Sequence, residues 1–237
     1  MITFKNTAFL CLIWYFCPMQ NGVLYLIPTV IADNSLGMIP PDIREVIIHT
    51  NIYIVENIKT ARRFIKAVYK EKNIDDCTFV ELDKHQNYRF DDSILTEVFQ
   101  GKNIGLMSEA GVPCIADPGN KVVEAAHEMD ITVVPLSGPS ATIMALMASG
   151  FNGQQFTFNG YLPIETGERK GRLQQMESLA KKGITQIFMD TPYRNQKLLD
   201  EIISICKFDT MLCIACNITA QDEFIKTLPL SEWKKRK

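Results

Sequence analysis

The segment Ser108-Glu-Ala-Gly-Val-Pro-Cys-Ile-Ala-Asp-Pro-Gly119 holds the residue types with the clearest chemical potential in this 237-residue chain. Gly111, Pro113, Pro118 and Gly119 make a stiff loop that still lets backbone groups approach a ligand closely. It is neither a GxxxxGK[ST] phosphate loop nor a GxGxxG fingerprint. Alone it also reads as an ordinary strand-to-helix turn, which needs the same residues. A second segment, Leu136-Ser-Gly-Pro-Ser-Ala-Thr142, combines a turn at Gly138 and Pro139 with Ser137 and Ser140, either of which can cap a following helix. Cys213 and Cys216 form a CxxC inside an apolar run, but no further zinc ligands lie nearby. A buried strand and no metal site are expected there.

Strand-like and helix-like patterns alternate along the chain and place these segments. Apolar runs at Val23–Ile31, Ile52–Val55, Thr78–Leu82, Asn103–Met107 and Ile131–Pro135 read as strands. Helical patterns at Asn57–Lys72, Asp91–Gln100 and Asn120–Met129 separate them. That order predicts a mainly parallel sheet with helices on its faces. Ligands of such sheets bind beyond the carboxyl ends of the strands, where the Ser108–Gly119 loop falls. After a break at Pro135–Pro139 the alternation restarts. It gives a helix at Ser140–Ala148, strands at Phe156–Asn159, Thr185–Met189, Met211–Ala215 and Glu223–Thr227, and helices at Arg169–Lys181 and Asn195–Cys206. The expected organisation is α/β, with two lobes at 19–136 and 137–237.

Hydrophobic residues make up 46% of the chain and charged residues 22%, as in an ordinary soluble globule. A net charge of −2 gives no support for unspecific nucleic-acid binding, which needs neutralised phosphates. Seven cysteines at scattered spacing do not form a disulfide framework. Residues 1–18 include an apolar stretch too short to span a bilayer. With Met19 just before the first strand, they read as a leader or upstream extension outside the fold. A cytoplasmic protein is expected. The basic run at the end of the chain reads as a solvated tail, or as a sign that the second lobe lacks its last strand.

Taken together and in order, these segments resemble the tetrapyrrole-methylase superfamily, and within it the ribosomal-RNA branch. SEAGVPCIADPG resembles that branch's SDAGTPLISDPG loop, and LSGPSATIMALMASG its PGPSA helix start. Phe156-Thr-Phe-Asn-Gly-Tyr-Leu-Pro163 is similar to its F-x-F-x-G-(F/Y)-L-P strand, and Met189-Asp-Thr-Pro-Tyr-Arg194 to its YEAPHR turn. Ala215-Cys-Asn-Ile-Thr219 with Glu223 resembles A-R-E-L-T…E, and Val55–Arg63 resembles AEDTRxTRR. The resemblance implies two α/β lobes with S-adenosyl-L-methionine in the cleft between them, and a homodimer. It implies cofactor contacts at Pro28, Ser108, Ala110, Gly111, Val112, Ile115, Ala116, Asp117, Ser140 and Ala141. Met189, Asp190, Ala215, Asn217 and Ile218 would flank the adenine.

The implied reaction is methyl transfer to the ribose 2′-oxygen of a cytidine in small-subunit ribosomal RNA. A tetrapyrrole-like or other small acceptor, or a catalytically idle cofactor-binding relative, are the alternatives. Several positions depart from the branch's pattern. Pro28–Gly37 lacks the TPIGN core, Asn57 and Lys59 stand for Asp and Arg, and Cys216 and Asn217 replace an Arg-Glu pair. These changes thin the charge on the acceptor side. Candidate bases are Glu56, Glu109 and His85, with Asp117 and Asp190 as further acids; Glu56 beside Arg62 and Arg63 reads equally as a structural acid. Arg62, Arg63, Arg169, Lys170 and Arg172 are candidate phosphate contacts.

Overall fold

Four-residue apolar runs form the spine of the N-terminal half. The computed structural model of the protein describes residues 2–3, 9–10, 21–82 and 90–236. A short antiparallel pair, β1 (Ile2–Thr3) and β2 (Phe9–Leu10), comes first, and the rest of the expected leader lies outside the described residues. Next come β3 (Leu24–Ile27), β4 (Ile52–Val55), β5 (Thr78–Glu81), β6 (Ile104–Met107) and β7 (Val133–Pro135). All five are parallel in one sheet of order β5-β4-β6-β3-β7, as the alternation predicts. Both faces are covered, which is why β4 and β6 are buried at every position instead of alternating.

One face carries Leu24, Ile52, Ile54, Ile104 and Leu106 against Leu95, Val98, Val122 and Ala126. The last two come from α3 (Asn120–Glu128); Leu95 and Val98 come from Asp92–Gln100, which is a 3₁₀ helix. The other face packs Ile27, Tyr53, Val55 and Met107 against α1 (Asp42–Ile48) and α2 (Ile58–Val68). The turn from α1 to β4 is locked from within. Lys72 is only 6% exposed, and its Nζ donates to Ile48 O, Thr50 O and Asn51 Oδ1 at 3.1, 2.8 and 2.6 Å.

The second half contains α4 (Ala141–Ser149), β8 (Phe156–Tyr161), α5 (Thr166–Ala180), β9 (Thr185–Met189) and α6 (Asn195–Ile205). β10 (Met211–Cys216), β11 (Phe224–Pro229) and α7 (Leu230–Lys235) complete it. β8 and β9 pair in parallel and β10 and β11 antiparallel. One core serves both pairs: Leu162, Leu173, Met176, Leu198, Ile202, Leu230 and Trp233, with Phe188, Leu212 and Leu228 against it.

Two expectations need correcting here. β10, expected to be buried, is half-exposed along its length, because an antiparallel two-stranded pair covers it on one side only. The expected tail is largely helix α7, since Leu230 and Trp233 drive it into the core and Trp233 Nε1 donates to Leu212 O at 2.9 Å, while its basic residues Lys234, Lys235 and Arg236 are exposed as expected. Among the described residues no helix is long and apolar enough to cross a membrane.

Candidate active site

The sheet register decides which loops meet. Ile27 and Val55 both pair with Met107, so β3, β4 and β6 end at one level. Pro28, Glu56 and Ser108 therefore leave the sheet side by side, at the edge where ligands of parallel sheets bind. Leu26 pairs with Pro135, which brings the end of β7 to the same edge.

Specific contacts knot these loops together. Thr29 N donates to Gly111 O at 2.9 Å, and the Thr29 hydroxyl to Ser108 O at 3.4 Å. Ser108 Oγ lies 3.2 Å from Gly111 O and 3.3 Å from Ala110 O, closing the loop on itself. From the third side, a Cβ on Gly138 would fall 2.2 Å from Pro28 Cβ, so only glycine permits this approach. Gly111 has φ +75°, and a Cβ there would lie 3.1 Å from Pro139 O. The structure thus brings together Pro28, Ser108, Ala110, Gly111 and the 138–139 turn. Thr29 was missed in the sequence; it is 3% exposed, and a lone threonine after a proline carries no signal of that role.

Further along the loop, Cys114 and Ala116 have φ of +70° and +66°. Each costs roughly 1–2 kcal/mol for a residue with a Cβ. Asp117 Oδ1 accepts from Gly119 N at 2.7 Å, while its buried Oδ2 has no donor among the described residues. Burial pushes the Cys114 thiol up to about 12, with the Asp117 carboxylate adding to the shift, so this sulfur stays protonated and unreactive at neutral pH. Val112 is half-buried, whereas Ile115 and Ala116 are exposed. Ser140 occupies the N-cap position of α4 without a side-chain capping bond; its extended backbone starts the helix, and Met144 N donates to Ser140 O at 2.9 Å. Ala141 follows as the first helical residue.

The candidate acids have defined partners. Glu56 Oε2 accepts from Glu109 N at 2.7 Å. Arg62 and Arg63 reach Asp75 and Asp33 at 3.4 and 3.8 Å. His85 lies outside the described residues. Asp190 follows β9 and turns inward: its side chain is 3% exposed, with Oδ1 on Thr191 N at 2.8 Å and on Arg194 Nε at 3.3 Å. That carboxylate builds its own turn. Met189 and Ala215 are half-buried at the ends of β9 and β10, Ile218 is buried, and Asn217 is exposed with its amide on Asp222 at 2.7 Å. Asn217 and Thr219 have φ of +51° and +74°, which marks the β10–β11 turn as a second strained segment. Arg169 is no phosphate contact. It is 5% exposed and forks onto Glu201 at 2.6 and 2.8 Å, with Nη1 on Pro163 O and Ile164 O.

Comparison with known proteins bears on this arrangement. The family profile Tetrapyrrole (Corrin/Porphyrin) Methylases matches residues 45–234. A ribosomal RNA small subunit methyltransferase I of Buchnera aphidicola (subsp. Schizaphis graminum) is 33% identical over 206 residues, covering 87% of this chain and 69% of that protein. Proteins of the same name from Vibrio cholerae and Escherichia coli O157:H7 are 31% and 30% identical, each covering 90% of this chain and 71% of its own length. The solved methyltransferase CobJ superposes with a TM-score of 0.59 at 13% identity, over 89% of this chain and 87% of that one. Uroporphyrin-III-C-methyltransferase from Thermus thermophilus gives 0.52 at 12% identity, over 89% and 84%.

Proposed function

The chain belongs to the tetrapyrrole methylase family and is a methyltransferase; from that premise we propose that it methylates small-subunit ribosomal RNA with S-adenosyl-L-methionine, at the ribose 2′-oxygen of a cytidine. The observation that carries this reading is the knot of Pro28–Thr29, Ser108–Gly111 and Gly138–Pro139 at the carboxyl edge of the parallel sheet. The residues there fit the cofactor. Gly111 and Gly138 let the surrounding loops close tightly on one another, Val112 and Ile115 supply apolar surface, and Asp117 keeps an acceptor without a donor. Bound there, the cofactor supplies an electrophilic methyl on a sulfonium. The backbone of Ala110–Val112 and Ile115–Asp117 would hold its methionine and ribose parts, with Ser140 and Ala141 on another side. Met189, Ala215, Ile218 and the main chain at Asp190 and Asn217 would flank the adenine. The chain's remaining task is to align the acceptor oxygen and exclude water.

Small-subunit RNA as acceptor is supported by the names of relatives at 30–33% identity. Phosphate contacts fall to Arg62, Arg63, Lys170 and Arg172. The reading includes two lobes at 19–136 and 137–237, a cytoplasmic location and a homodimer. The dimer is supported by α4, an almost wholly apolar helix that leaves Ile143 and Met147 43% and 77% exposed.

Calorimetry with S-adenosyl-L-methionine tests the cofactor site. Gly111→Arg should abolish binding and leave the circular dichroism native, because a side chain at φ +75° and 3.1 Å from Pro139 O displaces the loop from its cofactor-binding shape without unfolding the sheet. Unchanged affinity in that variant would refute the site. Labelled methyl transfer to small subunits lacking the modification tests the acceptor. RNA affinity should fall steeply with added salt; a flat dependence points to a small-molecule acceptor.

A further inference from the structure

Glu56 has two chemically distinct uses open to it, as a base or as an anchor. Its backbone is fixed on both sides. The preceding strand β4 is buried at every position, and Asn57 caps α2 by accepting from Lys59 N and Thr60 N at 3.0 and 3.2 Å. Because Val55 pairs with Met107, Glu56 emerges beside Ser108, one residue short of Glu109. Its Oε2 receives the Glu109 N–H at 2.7 Å, a short, charge-assisted bond between the ends of adjacent strands. Residues 108–111 are thereby pinned from three directions: by Thr29 from β3, by Ser108 from within, and by Glu56 from β4. Glu109 and Ala110 are exposed, so the link to Glu56 gives this part of the loop a fixed point that packing does not supply.

We propose that Glu56 is a positioning residue, which holds the Ser108–Gly111 loop in its cofactor-binding shape through the Glu109 amide. This rests on the cofactor site proposed above. A general base must lose function when it can no longer take a proton. An anchor needs only an acceptor oxygen, which glutamine keeps and alanine lacks.

The test compares wild type, Glu56→Ala and Glu56→Gln in two measurements: calorimetry with S-adenosyl-L-methionine, and hydrogen exchange of residues 108–111 without it. Glu56→Ala should weaken binding about tenfold, the scale of a net hydrogen bond to a charged group. Its 108–111 amides should exchange about tenfold faster while the melting temperature barely moves. Glu56→Gln should recover most of both. Native affinity and exchange in Glu56→Ala would overturn the proposal, as would Glu56→Gln behaving like Glu56→Ala. If the wild type itself fails to bind, the cofactor site fails, and the exchange data alone decide whether Glu56 anchors the loop.

Discussion

Arg169 shows how a side chain's surroundings override its sequence neighbourhood. It stands in the basic run Arg169-Lys170-Gly-Arg172, which reads as a phosphate-binding face. Its acid, Glu201, comes 32 residues later on the next helix, and no local spacing announces the pair. The guanidinium holds the Glu201 carboxyl below the usual carboxylate range. A depressed carboxylate contributes stability that is complete above its unfolded pKa, about 4.3, and is lost as pH falls through the folded value. Arg169→Met leaves Glu201 without its buried partner and should cost roughly 3–5 kcal/mol at neutral pH. Urea titrations at pH 7 and pH 3.5 check both parts: the variant should be weaker at pH 7 and should lose less than wild type on acidification. An equal loss in both proteins would show that the pair does not titrate as described.

At the scale of elements, the turn from β4 to α2 is set by one residue. Asn57 has φ −152° and ψ 118°, and its side chain satisfies two of the helix's first amides. Asn57→Ala should cost about 1 kcal/mol, seen as a lower melting temperature with unchanged helix content at low temperature. Asn57 is legible in the sequence only as a departure from Asp, yet asparagine accepts the same bonds. Ile52–Val55 and Thr185–Met189 are read to the residue, because short β-rich apolar runs bounded by polar turns have few other solutions. Burial is harder to read. The run at Met211 has the same composition as a core strand, and only its lone antiparallel partner leaves it half-exposed. The knot of Thr29, Ser108 and Gly111 was visible only as loops of suitable composition. The contacts that close it span about 80 residues and depend on strand register.

At the scale of the whole molecule, α4 is the face on which the proposed homodimer would form. An exposed apolar helix that packs on β11, with Thr227 Oγ1 on Ser149 O at 2.7 Å, offers a rigid face for a second copy. Met147→Glu should shift the sedimentation coefficient to that of the monomer while the melting curve stays cooperative; a monomeric wild type or an unshifted coefficient would refute α4 as a dimer face. The parallel sheet has a different kind of consequence. Since all five strands run one way, the turns that enter them, at Gly22, Asn51, Cys77, Asn103 and Thr132, lie at the edge remote from the site. Inheritance can therefore act on the two edges separately. A change in the loops at the remote edge is felt by the fold alone, whereas a change at Pro28–Thr29, Glu56 or Ser108–Gly111 reaches the proposed cofactor site directly.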